Sequence, residues 1–189
     1  WAAWMFVGLF ATLGALSGYA AAIALHSRTP PPRAVNLAFP LEAGRYLVVN
    51  GGSHIGTNLH LYTLDATEPR FREWRGQSHG VDIVEVDALG LRARGVQPAA
   101  PSAYRIHGAR VLAPCAGQVL LALDGLPDMP VPEVDREHLA GNHVLLRCAE
   151  ADVLLGHLRP GSVAVRAGAI VAVGDRLGEV GNSGNTGEP

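Results

Sequence analysis

An all-β domain of short strands, a curled antiparallel sheet or sandwich, preceded by a single N-terminal transmembrane helix, is the fold class this sequence predicts. Three observations predict it. Residues 1–25 hold no charged side chain, and about 20 consecutive apolar residues suffice for a helix to cross the hydrocarbon core. The remaining chain falls into short apolar runs punctuated by turn residues, with 23 Gly and 13 Pro in all, which is strand-and-turn composition. No long helical period follows residue 26.

The elements follow in order. Trp1, Trp4 and Tyr19 suit interfacial positions of a membrane helix over 1–26, and Gly8, Gly14, Ala15, Ser17 and Gly18 allow close helix packing. A cleaved signal peptide would show a shorter apolar region, about 7–15 residues. Residues 27–37 read as a linker, stiffened by Thr29-Pro30-Pro31-Pro32. A single domain is expected over 38–189. Its strands are Tyr46 to Asn50, ended by Gly51-Gly52; Gly80 to Val86, alternating from Val81; Val111 to Ala113; and Gln118 to Leu123. His143 to Arg147 and Val153 to His157 make a hairpin. Val163 to Arg166, Ala169 to Val173 and Leu177 to Val180 are short strands. Residues 87–108 and 124–140 are insertions rich in Pro, Gly and charge.

Composition excludes some functions. Net charge is -2 over 189 residues, so no basic surplus exists to hold nucleic acid. All 15 cationic residues are Arg. The turns at Ala113 to Val119 and Val173 to Gly178 are similar to those of biotinyl and lipoyl carriers. Those carriers attach their cofactor to a Lys, which this chain does not contain, so carrier chemistry is excluded.

Three islands carry the chemistry. The first is Gly76-Gln-Ser-His-Gly-Val-Asp-Ile-Val84. The second is Val111-Leu-Ala-Pro-Cys-Ala-Gly-Gln-Val119. The third runs from Asn142-His143-Val144 through Leu155-Gly-His-Leu158 and Val165-Arg-Ala-Gly168 to Val173-Gly-Asp175 and Gly178-Glu-Val-Gly-Asn-Ser-Gly-Asn185. In this order they resemble the lysostaphin-type, or LytM-like, peptidases, over about residues 38–189. That resemblance implies a zinc enzyme that cuts peptide cross-links of peptidoglycan by metal-activated water. The family order is His-x-x-x-Asp, Ala-Pro-x-x-Gly-x-Val, a His-Leu pair, a Gly-rich turn and His-x-His.

The resemblance assigns Asp82 as a Zn2+ ligand. A carboxylate on a strand flanked by hydrophobic residues also needs a partner or a metal if it is buried. The family's first His falls on Ser78, and His79 comes one residue late. Alternation along a strand places position 78, not 79, on the face of Asp82. His60 is the favoured first ligand instead. It ends Asn58-Leu59-His60 and resembles a branch of the family with Gly-Gly, Asn-x-His and Gln-x-x-x-x-Asp. His79, rescued by a bulge, stays open as an alternative, and His54 is a third candidate. His157 matches the His-Leu element, which implies a general base or an oxyanion stabiliser. The family's His-x-His is expected directly after Pro189, beyond a chain truncated there.

The implied partners are a peptide or peptidoglycan substrate and, through residues 1–25, a membrane. The implied location is the inner (cytoplasmic) membrane with the domain facing the periplasm or cell exterior. Arg28 and Arg33 weigh the other way, since cations collect on the cytoplasmic flank of a span. Cys115 and Cys148 lie on or beside core strands and read as a disulfide in an oxidising compartment, with Cα atoms about 4.4–6.8 Å apart. The alternative function is a catalytically degenerate relative that binds cell wall or activates another hydrolase.

Overall fold

The computed structural model describes residues 1–30, 32–72 and 74–189. Residue 31, in the segment expected to be a linker, lies outside the described residues. The protein is all-β with one long N-terminal helix, α1 (Ala2–Ser27). Its chain groups into two compact units, Trp1–Ala34 with Val48–Ile83, and Val35–Leu47 with Val84–Pro189. Strands β1 (Tyr46–Asn50) and β2 (Asp82–Glu85) pair as a two-stranded ribbon, and each crosses the unit boundary in sequence.

The first unit contains α1, which is long and apolar enough to cross a membrane and is unburied along that span. Between β1 and β2 the chain turns in three short 3-10 segments, Leu59–Leu64, Pro69–Arg72 and Arg75–Gln77. Asn58 starts the first of these. Its side chain accepts the His60 N–H at 3.2 Å, the local bond that makes Asn favourable at such starts. β1 is unusual for an apolar strand. Leu47, Val48 and Val49 are each about half exposed.

The second unit carries the main sheets. β3 (Arg110–Leu112) pairs with β8 (Arg176–Glu179). β4 (Gly117–Leu123), β5 (Asn142–Arg147), β6 (Asp152–Leu158) and β7 (Ile170–Val171) form an antiparallel sheet of order β6-β5-β4-β7. Side chains alternate faces along a strand. On β5, Asn142, Val144 and Leu146 therefore point inward together, each 0% exposed. Val119, Leu158 and Leu177 close the same core. Each such aliphatic side chain contributes about 1.5–3 kcal/mol of burial. A bridge between Leu158 and Val180 brings the end of β8 to the end of β6.

Two close approaches fix this half. Gly117 lies against the Arg147 carbonyl, and a Cβ there would collide with it. Cys115 and Cys148 form a disulfide with Cα atoms 5.9 Å apart, inside the expected range.

The expected strand over 163–166 pairs in no ladder. It is bracketed by Gly161 and Gly168, both at positive φ. Only Ala164 reaches a strand, donating its N–H to the Leu177 carbonyl at 2.8 Å. The strand expected over 169–173 shortens to Ile170–Val171, because the Asp175 carboxylate accepts the Ala172 N–H at 2.8 Å and turns the chain.

Candidate functional site

His60 and Asp82 belong to the first unit, and the fold brings them together. His60 Nε2 stands 3.6 Å from Asp82 Oδ2. Three groups hold this arrangement. Asn50, at the end of β1, donates its Nδ2–H to Asp82 Oδ2 at 3.0 Å and accepts the Leu59 N–H at 2.8 Å. Asn58 is buried, 2% exposed. Its amide donates to the carbonyls of Gly52 at 3.1 Å and Gly80 at 3.2 Å, tying the glycine turn after β1 to the turn before β2. Gly80 supplies the space. A Cβ there would collide with His60 Nδ1 and lie 2.7 Å from Cε1.

Behind His60 lies Ser78, the residue at the position expected for a histidine. Ser78 and Thr63 are both buried, with their hydroxyls 2.6 Å apart, and the Thr63 hydroxyl donates to the His60 carbonyl at 2.7 Å. Position 78 therefore points into the unit and supports the backbone that carries His60.

Two sequence expectations change here. β2 begins only at Asp82, because the Gly80 N–H donates to the Gln77 carbonyl at 2.8 Å and closes a turn. Strand alternation thus ranks neither position 78 nor 79 against Asp82. The Asp82 side chain is 52% exposed, so the argument from a buried lone carboxylate does not apply; its partners are Asn50 and His60. His79 is exposed in the turn before β2. His54 accepts the Gly56 N–H on Nδ1 at 3.0 Å and meets the His26 ring edge-on at 6.3 Å.

Asn50, Asn58 and Gly80 stand in the sequence as a strand end, a motif letter and an island letter, and their supporting roles were missed. A faint signal existed in spacing: an Asn two residues before the His, and a Gly two residues before the Asp.

His157 belongs to the second unit. It lies near the end of β6 with φ at 58°, uncommon for a non-glycine residue. The β5–β6 register explains why. Asn142 pairs with Leu158 and Val144 with Leu155, so β6 carries one extra residue. Such a bulge re-aims a side chain. The backbone around it is held, with the His157 N–H on the Ala140 carbonyl at 2.8 Å and its carbonyl accepting the Gly181 N–H at 3.0 Å. His157 Nδ1 lies 2.9 Å from the Ser183 carbonyl. A carbonyl only accepts, so the neutral imidazole carries its proton on Nδ1 and its lone pair on Nε2.

The Gly-rich turn is built into the same place. The Ser183 hydroxyl donates to the Leu158 carbonyl at 2.7 Å and accepts the Asn142 N–H at 3.0 Å. Asn182 is 0% exposed and donates its amide to the Met129 carbonyl at 2.7 Å. The segment 181–184 is thus anchored to the strand pair that carries His157.

The His60–Asp82 pair fits two ligands of one zinc ion. Bonds of about 2.0–2.2 Å at a tetrahedral angle separate two ligand atoms by roughly 3.4 Å, close to the 3.6 Å seen. His60 Nδ1 is buried without a hydrogen-bond partner. Among the described residues no group of three or more His, Cys, Asp or Glu side chains gathers as a metal set. No protein-family model and no curated protein sequence matches this chain.

Proposed function

We propose that this chain is a membrane-anchored zinc metalloendopeptidase of the lysostaphin type that cuts peptide bonds, with peptidoglycan cross-links as substrate. In this reading His60 and Asp82 are two of the metal ligands, and His157 is the general base. The observation that carries it is the 3.6 Å approach of His60 Nε2 to Asp82 Oδ2, held by two asparagines and a glycine slot.

His60 and Asp82 would hold the zinc, which would supply Lewis acidity to a water and to a scissile carbonyl. The chain's own residues do the rest. Asp82 contributes the negative charge, and Asn50 orients its Oδ2. His60 would offer Nε2. His157, whose Nδ1–H donates to the Ser183 carbonyl, would offer Nε2 as the base that takes a proton from the attacking water and as the acid that gives it to the leaving amine. The disulfide supports the extracytoplasmic side, since such bonds persist in oxidising compartments.

A second reading is a wall-binding or hydrolase-activating relative without metal chemistry. One observation favours it: Asp82 already receives the Asn50 N–H at 3.0 Å, so the pair is stable as a plain polar contact.

Zinc stoichiometry and peptidoglycan turnover, measured on the protein as encoded, decide between them. Asp82→Ala and His60→Ala are expected to lose both zinc and turnover. His157→Ala should lose turnover and keep its zinc. Unchanged zinc content and activity in Asp82→Ala removes the peptidase reading in favour of the binding one.

A further inference from the structure

The first unit exposes an apolar surface beside its membrane helix. Among the described side chains of α1, only Ile23 and Ser27 are not exposed. They stand one turn apart on one face. The loop after β1 covers them. Ser53 donates its N–H and its hydroxyl to the Ser27 carbonyl at 3.1 and 3.2 Å. A Cβ on Gly56 would lie 3.3 Å from Ile23 Cγ2, and one on Gly52 would lie 3.0 Å from the Ser27 carbonyl oxygen. The loop therefore reaches back along α1 to Ile23, two residues inside Leu25, the last apolar residue of the helix.

That depth has a consequence. α1 has 26 residues, about 39 Å at about 1.5 Å per residue, and the hydrocarbon core takes about 30 Å. A loop packed on the final turn lies at the lipid headgroups once α1 spans a bilayer. The side chains around it suit that layer. Val48, Val49, Ile55, Leu59 and Val81 are each between 40% and 61% exposed. Val48 and Val81 meet over Gly51, where a Cβ would lie 2.8 Å from one and 3.3 Å from the other. The backbone turns inward on itself. Gly51 N–H donates to the Thr57 carbonyl at 2.9 Å, and the N–H groups of Thr57 and Asn58 donate to the His54 carbonyl at 3.0 and 2.9 Å. These internal bonds lower the cost of placing the turn in a layer with less water than bulk solvent. Arg28, at the helix end, lines the same cleft as Val49, Leu59 and Asp82, and a cation there suits anionic headgroups.

We propose that residues 48–59 with Val81 form a lipid-docking surface resting in the headgroup layer of the membrane that α1 crosses, so that the Asp82 cleft opens at that membrane's surface. This rests on the reading of α1 as a membrane span, and it stands whether or not the cleft holds zinc.

The test reconstitutes the whole protein into vesicles of phosphatidylethanolamine and phosphatidylglycerol. Val81→Cys, and separately Val49→Cys, carries an environment-sensitive nitrobenzoxadiazole probe, the native cysteines remaining paired. Leu13→Cys, in mid-helix, reports the span itself. Blue-shifted emission at residues 81 and 49, quenched about twofold or more by lipids brominated near the headgroup, is the expected result. Aqueous emission at both, with Leu13 quenched by deeply brominated lipid, overturns the docking surface and leaves the anchor standing. An unquenched Leu13 overturns both. Emission already blue-shifted in detergent and indifferent to brominated lipid means cover by protein, and it also overturns the proposal.

Discussion

His60 keeps its place because residue 80 has no side chain. The imidazole occupies the volume that any Cβ at Gly80 would fill. Gly80→Ala should therefore displace the ring or the turn and cost about 1–3 kcal/mol, as overpacking does. In a chain of this size that is roughly 2–4 °C of Tm per kcal/mol. In a His60→Ala background the same change should cost less, because the ring has gone and only the Gln77 carbonyl, 3.0 Å away, stays close. Thermal scans of the four proteins in detergent check this, and equal losses in both backgrounds would show that the slot is not what matters. Asn58→Ala should cost a further amount of the same order, about 1–3 kcal/mol, because the part-buried carbonyls of Gly52 and Gly80 lose their donor. The site was partly legible at this scale. The histidine two residues after an asparagine, and the aspartate on an apolar strand, were visible as letters. The support was not, because Asn50, Asn58 and Gly80 act through contacts between residues 6 to 32 positions apart, which spacing along one element does not report.

The bulge in β6 sets the conformation of His157. At φ 58° a β-branched side chain is strongly disfavoured, whereas Asn and Gly tolerate this region. His157→Val should destabilise the second unit by about 1–2 kcal/mol, the cost of a left-handed residue. His157→Asn should keep Tm near that of the parent while losing turnover. A Tm for His157→Val equal to that for His157→Asn would mean that the bulge is not retained. Most strands were legible from their patterns. β5 and β6 appear within one residue of expectation because each is a short apolar run and a polar loop, Glu150-Ala151-Asp152, joins them. The segment 163–166 is a short apolar run as well but pairs in no ladder, since pairing depends on a neighbour that sequence does not supply. The 3-10 turns over 59–77 were also unread. They hold no helical period, and their bonds come from local caps such as Asn58.

For the whole molecule, the helix, the β-rich remainder and the paired cysteines were readable from composition. The grouping of Val48–Ile83 with α1 was not, because it arises where glycines 52 and 56 let a loop lie on the helix. The side of the membrane is a contest between two signals. Arg28 and Arg33 follow the helix directly, and two cations at one flank favour the cytoplasm. The Cys115–Cys148 bond, with its partners 33 residues apart, favours the opposite side, since a reducing cytosol keeps thiols open. The disulfide also bears on the stability of the domain. Closing a loop of that length stabilises the fold by roughly 3–4 kcal/mol, a large part of a typical domain stability of about 5–15 kcal/mol. A domain that relies on it needs an oxidising compartment. Protein isolated with an alkylating agent present and no reductant should thus carry no label on either cysteine. Protease added to wall-stripped cells should digest residues beyond 38 and spare α1, while the same protease added to inverted vesicles should leave them intact. The replacement of both cysteines by Ser should lower Tm by about 6–16 °C at 2–4 °C per kcal/mol. Alkylated thiols together with protection in whole cells would instead place the domain in the cytoplasm, where Arg28 and Arg33 point, and would remove peptidoglycan as its substrate.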